Sequence, residues 1–593
     1  IFTNNTEFLT VDDAGRVGVG TVTPNSDAHP ENDKKINVGF VTAKSIAGDI
    51  DARNMVVAGV STFIGASSFS ADATINGITI GKGTNSVSNN TAFGVNALDA
   101  AVTGGLNVAI GENSMTNNTS GQQNVAVGQG TLAANTGGTA NTALGRSALS
   151  ANTTASNNTA VGQQALLSNT TGTNNIAVGV QALEANTTGG SNIAIGKQAL
   201  DANTTASNNT AIGAAALGAN TTATGGTAVG NQSLEANTTG NYNTAVGMQS
   251  LESNQTGTDN VAVGYYAMQA NLASNNTAVG RRALAANTTG TQNTAVGSNA
   301  LDANTTASYN TAIGVNALGA NTIGTGNAGI GFESLKSNTT GGHNTGCGYQ
   351  SLENNIDGSY NSAVGSQCMF NNTTGNYNNA IGYEALYTNT TGSYNSALGY
   401  QTLRLNTNGS SNTAVGSFSM DANTEGGNNV AFGSNTLSEN TTGNNNTAIG
   451  RQAMNNSTTQ SNNTAVGYRA LINQTVADQN TAVGADCMYT NTTGEYNTAL
   501  GFMSLYNNNA NNNVAIGYQA LLANTTGNHN TAVGKSAANA ITTGTYNTAV
   551  GENSLAANTT GDYNLCIGSN AGYQVIGTGN CFAGFYSGKD SDT

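Results

Sequence analysis

Residues 237–247 read Asn237-Thr238-Thr239-Gly240-Asn241-Tyr242-Asn243-Thr244-Ala245-Val246-Gly247. The closing Asn-Thr-Ala-Val-Gly recurs up and down the chain, and its glycine serves as a ruler. Marker glycines stand at 94, 111, 128, 145 and onward to 264, from 280 to 501, from 517 to 568, and at 584. Of the 29 intervals between these 30 glycines, 26 are 17 residues and three (264 to 280, 501 to 517, 568 to 584) are 16. Two of the short intervals lose their residue in the Ala-Asn-Thr-Thr-Gly stretch, which is therefore read as a loop, since loops tolerate deletion better than strands.

Aligned on the marker glycine as position 0, the repeat shows columns. Position −4 is Asn in 29 of 30 copies, Gly226 being the exception, position −2 is Ala in 26, and position +4 is Leu or Met in 27. Positions −3 and −1 carry mostly Thr/Val/Ile and Val/Ile/Leu/Phe. Side chains alternate across a strand, so −3 and −1 share one face while −4 and −2 share the other. The more apolar −3/−1 face is expected to look into a core with the +4 Leu/Met. Helix is disfavoured by the Gly, Asn and Thr content.

A 17-residue unit with two short strands cannot bury a core alone, but stacked units can. Residues 84–593 are therefore read as an all-β parallel β-solenoid or β-roll of about 30 coils, atypical over 568–593. At roughly 4.8 Å per coil it would form a rod on the order of 140 Å long. In-register stacking places Asn above Asn at −4, as at Asn141, Asn158, Asn175 and Asn192, where side-chain amides form a ladder along the stack. Three apolar positions per coil make a thin core, so lateral association into a homotrimer is expected, with the small Ala at −2 allowing close approach. Residues 1–83 hold both prolines and read as a small β-rich N-terminal head or collar, with strands near 8–11, 16–22, 36–42, 54–63 and 73–80.

Composition narrows the role. The 593 residues include 16 Lys+Arg and 31 Asp+Glu, for a net charge of −15. So few cations argue against nucleic-acid binding, which needs clustered Lys/Arg at the phosphates. No apolar run reaches the roughly 20 residues that span a bilayer. The three His (His29, His343, His529) lack metal-ligand neighbours, and the five Cys show no CxxC spacing. No cofactor or metal is implied. The acidic residues show no recurring close pair of the kind glycoside hydrolysis uses, so no enzyme is expected.

Tyrosine is absent before Tyr242 and then occurs 20 times. Position −5 carries Tyr242, Tyr309, Tyr360, Tyr377, Tyr394, Tyr496, Tyr546 and Tyr563, and position +1 carries Tyr400 among others. Rows of amphipathic rings can stack on sugars or cover a partner, and these residues are candidate glycan or partner contacts. Stacking among themselves, or packing between subunits, is the alternative.

The Asn-Thr-Ala-Val-Gly motif followed by Ala-Leu resembles the head repeats of trimeric autotransporter adhesins, which form a parallel β-roll trimer. The full 237–247 pattern more closely resembles arrays in bacteriophage tail fibres, particularly marine and cyanobacterial ones. The resemblance spans about 500 residues and implies a virion-borne, homotrimeric fibre shaft that projects a host-receptor-binding tip. Residues 1–83 would then meet other virion or tail proteins, and the far end a bacterial surface glycan or protein. A bacterial trimeric surface adhesin at the cell surface is the second expectation. An ice-binding β-solenoid is a third, and it is the weakest because the −3 Thr shares its face with the apolar −1 residue, the side expected to look into the core.

Overall fold

The structure, a computed structural model, describes residues 9–11, 17–19 and 72–588. The chain divides into two units, Ile1–Ser68 and Phe69–Thr593. In the first unit, β1 (Leu9–Val11) pairs antiparallel with β2 (Val17–Val19). The strands anticipated near 36–42 and 54–63 lie outside the described residues.

The second unit is the parallel β-solenoid that the 17-residue period dictates. Its strands β5 (Thr91–Gly94) to β34 (Cys581–Ala583) number thirty, one for each marker glycine. Each pairs in parallel with the strand one period away, so that Thr227, Ala228 and Val229 lie beside Thr244, Ala245 and Val246. The 16-residue coils keep this register: Val261 pairs with Thr277 and Ala262 with Ala278. A hairpin of β3 (Ala73–Ile75) and β4 (Ile78–Gly81), turning at Asn76-Gly77, lies antiparallel on β5. Asn-Gly is the dipeptide such a turn favours, and both residues have positive φ. The hairpin, read from the sequence as part of the head, is thus hydrogen-bonded to the first coil.

Two expectations are corrected. Each coil holds one strand, three residues long in all but the first, not two. The remaining residues form tight turns whose N–H groups donate to carbonyls one coil away, for example Leu251 to Ala267 and Ser253 to Gln269, both at 3.0 Å. Left-handed residues recur at −5, +2 and +4, as at Tyr242, Gln249 and Leu251 with φ of 57°, 53° and 51°. For leucine that conformation costs about 1–2 kcal/mol. It is offset because full burial of a leucine side chain contributes about 1.5–3 kcal/mol.

The second correction reverses the two faces of the strand. Ala245 is fully buried while Val246 is 36% exposed, and the same inversion runs along the array. The −4 Asn and −2 Ala point inward, with the +3 Ala/Ser and +4 Leu/Met, and the −3 and −1 residues point outward. The reason is volume and polarity together. A 17-residue coil is too narrow for Val opposite Leu, whereas Ala leaves the leucine its space. The Asn side chains can be buried because neighbouring backbone groups satisfy them.

That satisfaction is complete enough to define the coil. The Asn141 Nδ2 donates to the Ala155 carbonyl at 2.9 Å, and its Oδ1 accepts the Asn158 N–H at 3.0 Å. Asn175 and Asn192 continue the series at 2.9 and 3.0 Å. A second buried ladder runs at −10, inside the stretch expected to be a loop. Asn152 Nδ2 donates to Asn135 Oδ1 at 2.9 Å and to the same Ala155 carbonyl at 3.1 Å. Thr at −9 adds a third row, Thr153 Oγ1 donating to the Thr170 carbonyl at 3.1 Å.

The marker glycine is required twice over. Gly247 has φ 131°, and a Cβ there would lie 2.5 Å from the Gly264 carbonyl oxygen of the next coil.

Candidate functional site: the outward face and its aromatic columns

Reversing the strand faces places −5, −3, −1 and +1 together on the outside. The −1 column is apolar throughout, and its members include Ile195, Ile313, Leu398 and Phe432, exposed by 39%, 41%, 48% and 56%. Beside it the −3 column carries Thr in ranks, as at Thr277, Thr294 and Thr311. The tyrosine columns at −5 and +1 flank these two.

The predicted tyrosines are brought together unequally. His343, Tyr360, Tyr377 and Tyr394 form one ladder, with ring centroids 5.0, 5.0 and 5.1 Å apart and planes within 13°. His529, Tyr546 and Tyr563 form a second, at 4.6 and 5.2 Å. Tyr400 belongs to the +1 column, stacked on Tyr383 at 5.4 Å and edge-on to Phe418 at 5.3 Å. Tyr242, Tyr309 and Tyr496 have no ring partner among the described residues.

Stacking consumes ring faces, which bears on sugar binding. The rings lean over the coil below, as the Tyr242 ring does over Gly225. Tyr377 inside its ladder is 50% exposed, whereas Tyr394 and Tyr563, each ending a ladder, are 62% and 63% exposed. The interior tyrosines therefore offer edges and hydroxyls, while only the ladder ends and unstacked rings offer a face to a pyranose.

A third aromatic column at +5 escapes a reading of −5 and +1 alone. Phe370 stacks on Tyr387 at 5.2 Å and Tyr489 on Tyr506 at 5.0 Å. The signal was the 17-residue separation within each pair. Arg469 reaches over both Tyr468 and Tyr489 and is held by Asp486 at 2.7 Å.

The thiols are structural or superficial. Burial pushes the Cys368 and Cys487 thiols up to about 12 and that of Cys566 up to about 11, so none forms a thiolate near neutral pH. Cys347 stands in the outward −1 column and Cys581 in the outward −3 column. Among the described residues no three His, Cys, Asp or Glu converge as metal ligands, and no helix is long and apolar enough to cross a membrane.

Carboxylates in the +5 column are perturbed by their surroundings. Burial raises Asp421 to about 6, backbone hydrogen bonding opposes this, and Glu439 adds to it. Burial likewise raises Asp201, with Glu184 and Glu235 adding repulsion from the coils around it.

No family model, no curated protein and no solved structure matches this chain.

Proposed function

We propose that the chain is the shaft of a homotrimeric viral tail fibre, a mechanical spacer that carries a host-binding tip, with residues 1–83 toward the virion. The observation that carries this reading is the unbroken outward apolar column at −1. Each member exposes tens of Å², so thirty of them sum to on the order of 1,000 Å² or more, above the few hundred Å² a soluble monomer ordinarily leaves bare. Parallel rods packed on this column bury it along their whole length. The area suits a stable interface, which takes about 800 Å² per partner. The seam is thus the Thr/Val face, with Ala at −2 serving the interior of each coil. The repeat's likeness to fibre arrays supports the viral setting and the threefold count. Light scattering tests the assembly: about 178 kDa, three times 59.3 kDa, is expected, and 59.3 kDa would sink it.

The outward Thr ranks favour a second reading, an ice-binding surface. Its earlier objection, that −3 Thr looks inward, is removed by the reversed faces. Flat ranks of Thr beside Val on an exposed sheet offer spaced hydroxyls and methyls to an ordered water layer. The two readings compete for one face, because a seam buried between rods cannot meet ice. Thermal hysteresis in a 59.3 kDa species would favour the second, and its absence in a trimer the first.

A further inference from the structure

We infer that a notch at Gly319 binds an acidic sugar, a pyranose carrying a carboxylate. The groove between the +2 and +5 columns is bridged by side chains in some coils, as where Gln181 Nε2 meets Glu184 at 2.8 Å and Gln249 meets Glu252 at 2.8 Å. At the coil of Gly314 the +5 residue is Gly319 and the +2 residue is the short Asn316, and the bridge is missing. What opens there is a groove of about 660 Å³ reached by Arg281, Arg282 and Lys336. That volume falls within the roughly 300–1,000 Å³ of small-ligand sites.

The charge is out of keeping with the rest of the rod. The chain holds 16 cations against 31 acids, yet three cations and a single acid, Asp302, line this notch. Arg282 is paired with Asp302 at 3.2 Å and Lys336 with Glu333 at 2.8 Å, which fixes both at the rim. Arg281 has no ion-pair partner among the described residues and is free to take a carboxylate, as guanidinium does with paired N–H donors. The amides of Asn299 and Asn316, 3.3 Å apart, supply hydroxyl-binding groups on the same wall. One coil below the two arginines, in the same columns, stand Tyr265 and Tyr266, with ring centroids 3.9 Å apart.

An internal comparison sharpens the ligand class. Gly218 also leaves the +5 column empty, but there the residues on either side are Asp201 and Glu235. That gap repels anions, whereas at Gly319 the corresponding neighbours are Asp302 and Lys336, and the unpaired Arg281 tips the notch toward an anion. The inference does not rest on the fibre reading, since a single rod would carry the same notch.

Calorimetry on the full chain with oligogalacturonate tests it, with a cello-oligosaccharide as the neutral counterpart and inorganic sulfate as the bare anion. Wild type is expected to bind oligogalacturonate with Kd below about 1 mM at low salt, and each comparison ligand about tenfold more weakly or worse. Arg281→Gln with Arg282→Gln, and separately Gly319→Gln, should each weaken binding about tenfold. Gly319→Gln refills the column with a neutral side chain and should leave the thermal unfolding unchanged, which separates loss of the notch from loss of fold. Absence of binding by wild type, equal binding by either variant, or sulfate binding as tightly as the saccharide would overturn the proposal.

Discussion

The N–H of Asn158 donates to Oδ1 of Asn141 at 3.0 Å, one coil away, while the Nδ2 of Asn158 reaches the Gly172 carbonyl at 2.9 Å on its other side. One residue thus ties three consecutive coils, its main-chain N–H bonding back to one and its side-chain amide forward to the next, through buried groups. An amide at this position is a structural part of the backbone ladder.

Replacing Asn158 with Leu leaves the Asn175 N–H without its acceptor and the Gly172 carbonyl with the Asn169 amide alone. Each unsatisfied buried group costs about 1–3 kcal/mol. Because a solenoid's stability is carried between neighbours, faster amide exchange is expected in the coils around 141–192, with distant coils unaffected. The converse change is also informative. Gly226 occupies the −4 position without a side chain, so the Asn243 N–H has no Oδ1 to meet. Gly226→Asn should therefore slow exchange locally and stabilise by about 1 kcal/mol.

Marker glycines are expected to tolerate nothing larger. Gly264 has φ 136° and would place a Cβ 2.4 Å from the Gly280 carbonyl oxygen. Gly264→Ala should lower the denaturation midpoint sharply, by an amount equivalent to about 3 kcal/mol or more. Gly137, at −8, is the control. Its φ is ordinary, a Cβ there would come no closer than 3.4 Å to the Ser120 hydroxyl, and Thr154 and Thr171 fill the same position in other coils, so Gly137→Ala should change the midpoint little.

Asp421 gives the rod an acid-strengthened element. Its carboxyl is raised by burial to about 6 from an ordinary value near 3.8, so the folded state holds the proton more tightly than the unfolded chain. The stabilising contribution is fully present below pH 3.8 and is lost as pH rises through about 6. Asp421→Asn removes the charge that must be buried at neutral pH. The variant should melt higher than wild type at pH 7.5 and equally at pH 3.5, as read by thermal unfolding at the two pH values. A constant difference at both would contradict the burial account.

The aromatic ladder should behave as a stack. Tyr377→Ala removes two ring contacts and is expected to cost about 1–3 kcal/mol locally, from roughly 0.5–1.5 kcal/mol per pair. It should diminish the near-UV circular dichroism by more than one ring's share. Removal of the unstacked Tyr309 should lower that signal by one ring only.

The period, the parallel stack and the Asn row at −4 could be read directly from the chain, because a regular spacing of marker glycines admits few other architectures. Which strand face is inside could not. A strand of three residues alternates symmetrically, and the rule that valine is buried before alanine points the wrong way here. The deciding facts are non-local: Leu251 fills the space facing Ala245, and Asn side chains are satisfied by carbonyls 14 residues ahead, as Asn141 is by Ala155. The −10 ladder was hidden for a related reason. Asn-Thr-Thr-Gly reads as turn chemistry, and only stacking reveals that Asn152 is buried. Even there the sequence held a trace. In the 16-residue coil Asn271 turns its amide to the Ala273 carbonyl at 2.8 Å, and the Asn254 Oδ1 is left without a partner. The deletion interrupts the −10 ladder while the −4 ladder passes through it, Asn276 donating to Asn260 at 3.0 Å. The aromatic sites were partly visible as columns, but which rings keep a free face depends on what stands one coil above.

The face assignment and the seam are tested together by cysteine cross-linking between chains. In a background with the native thiols replaced by Ser or Ala, Val263→Cys puts a thiol in the outward −1 column and Ala262→Cys puts one inside the coil. Under mild oxidation Val263→Cys is predicted to give linked chains on a non-reducing gel, and Ala262→Cys is predicted to stay single. Linked chains from Ala262→Cys, or none from Val263→Cys, would contradict the account.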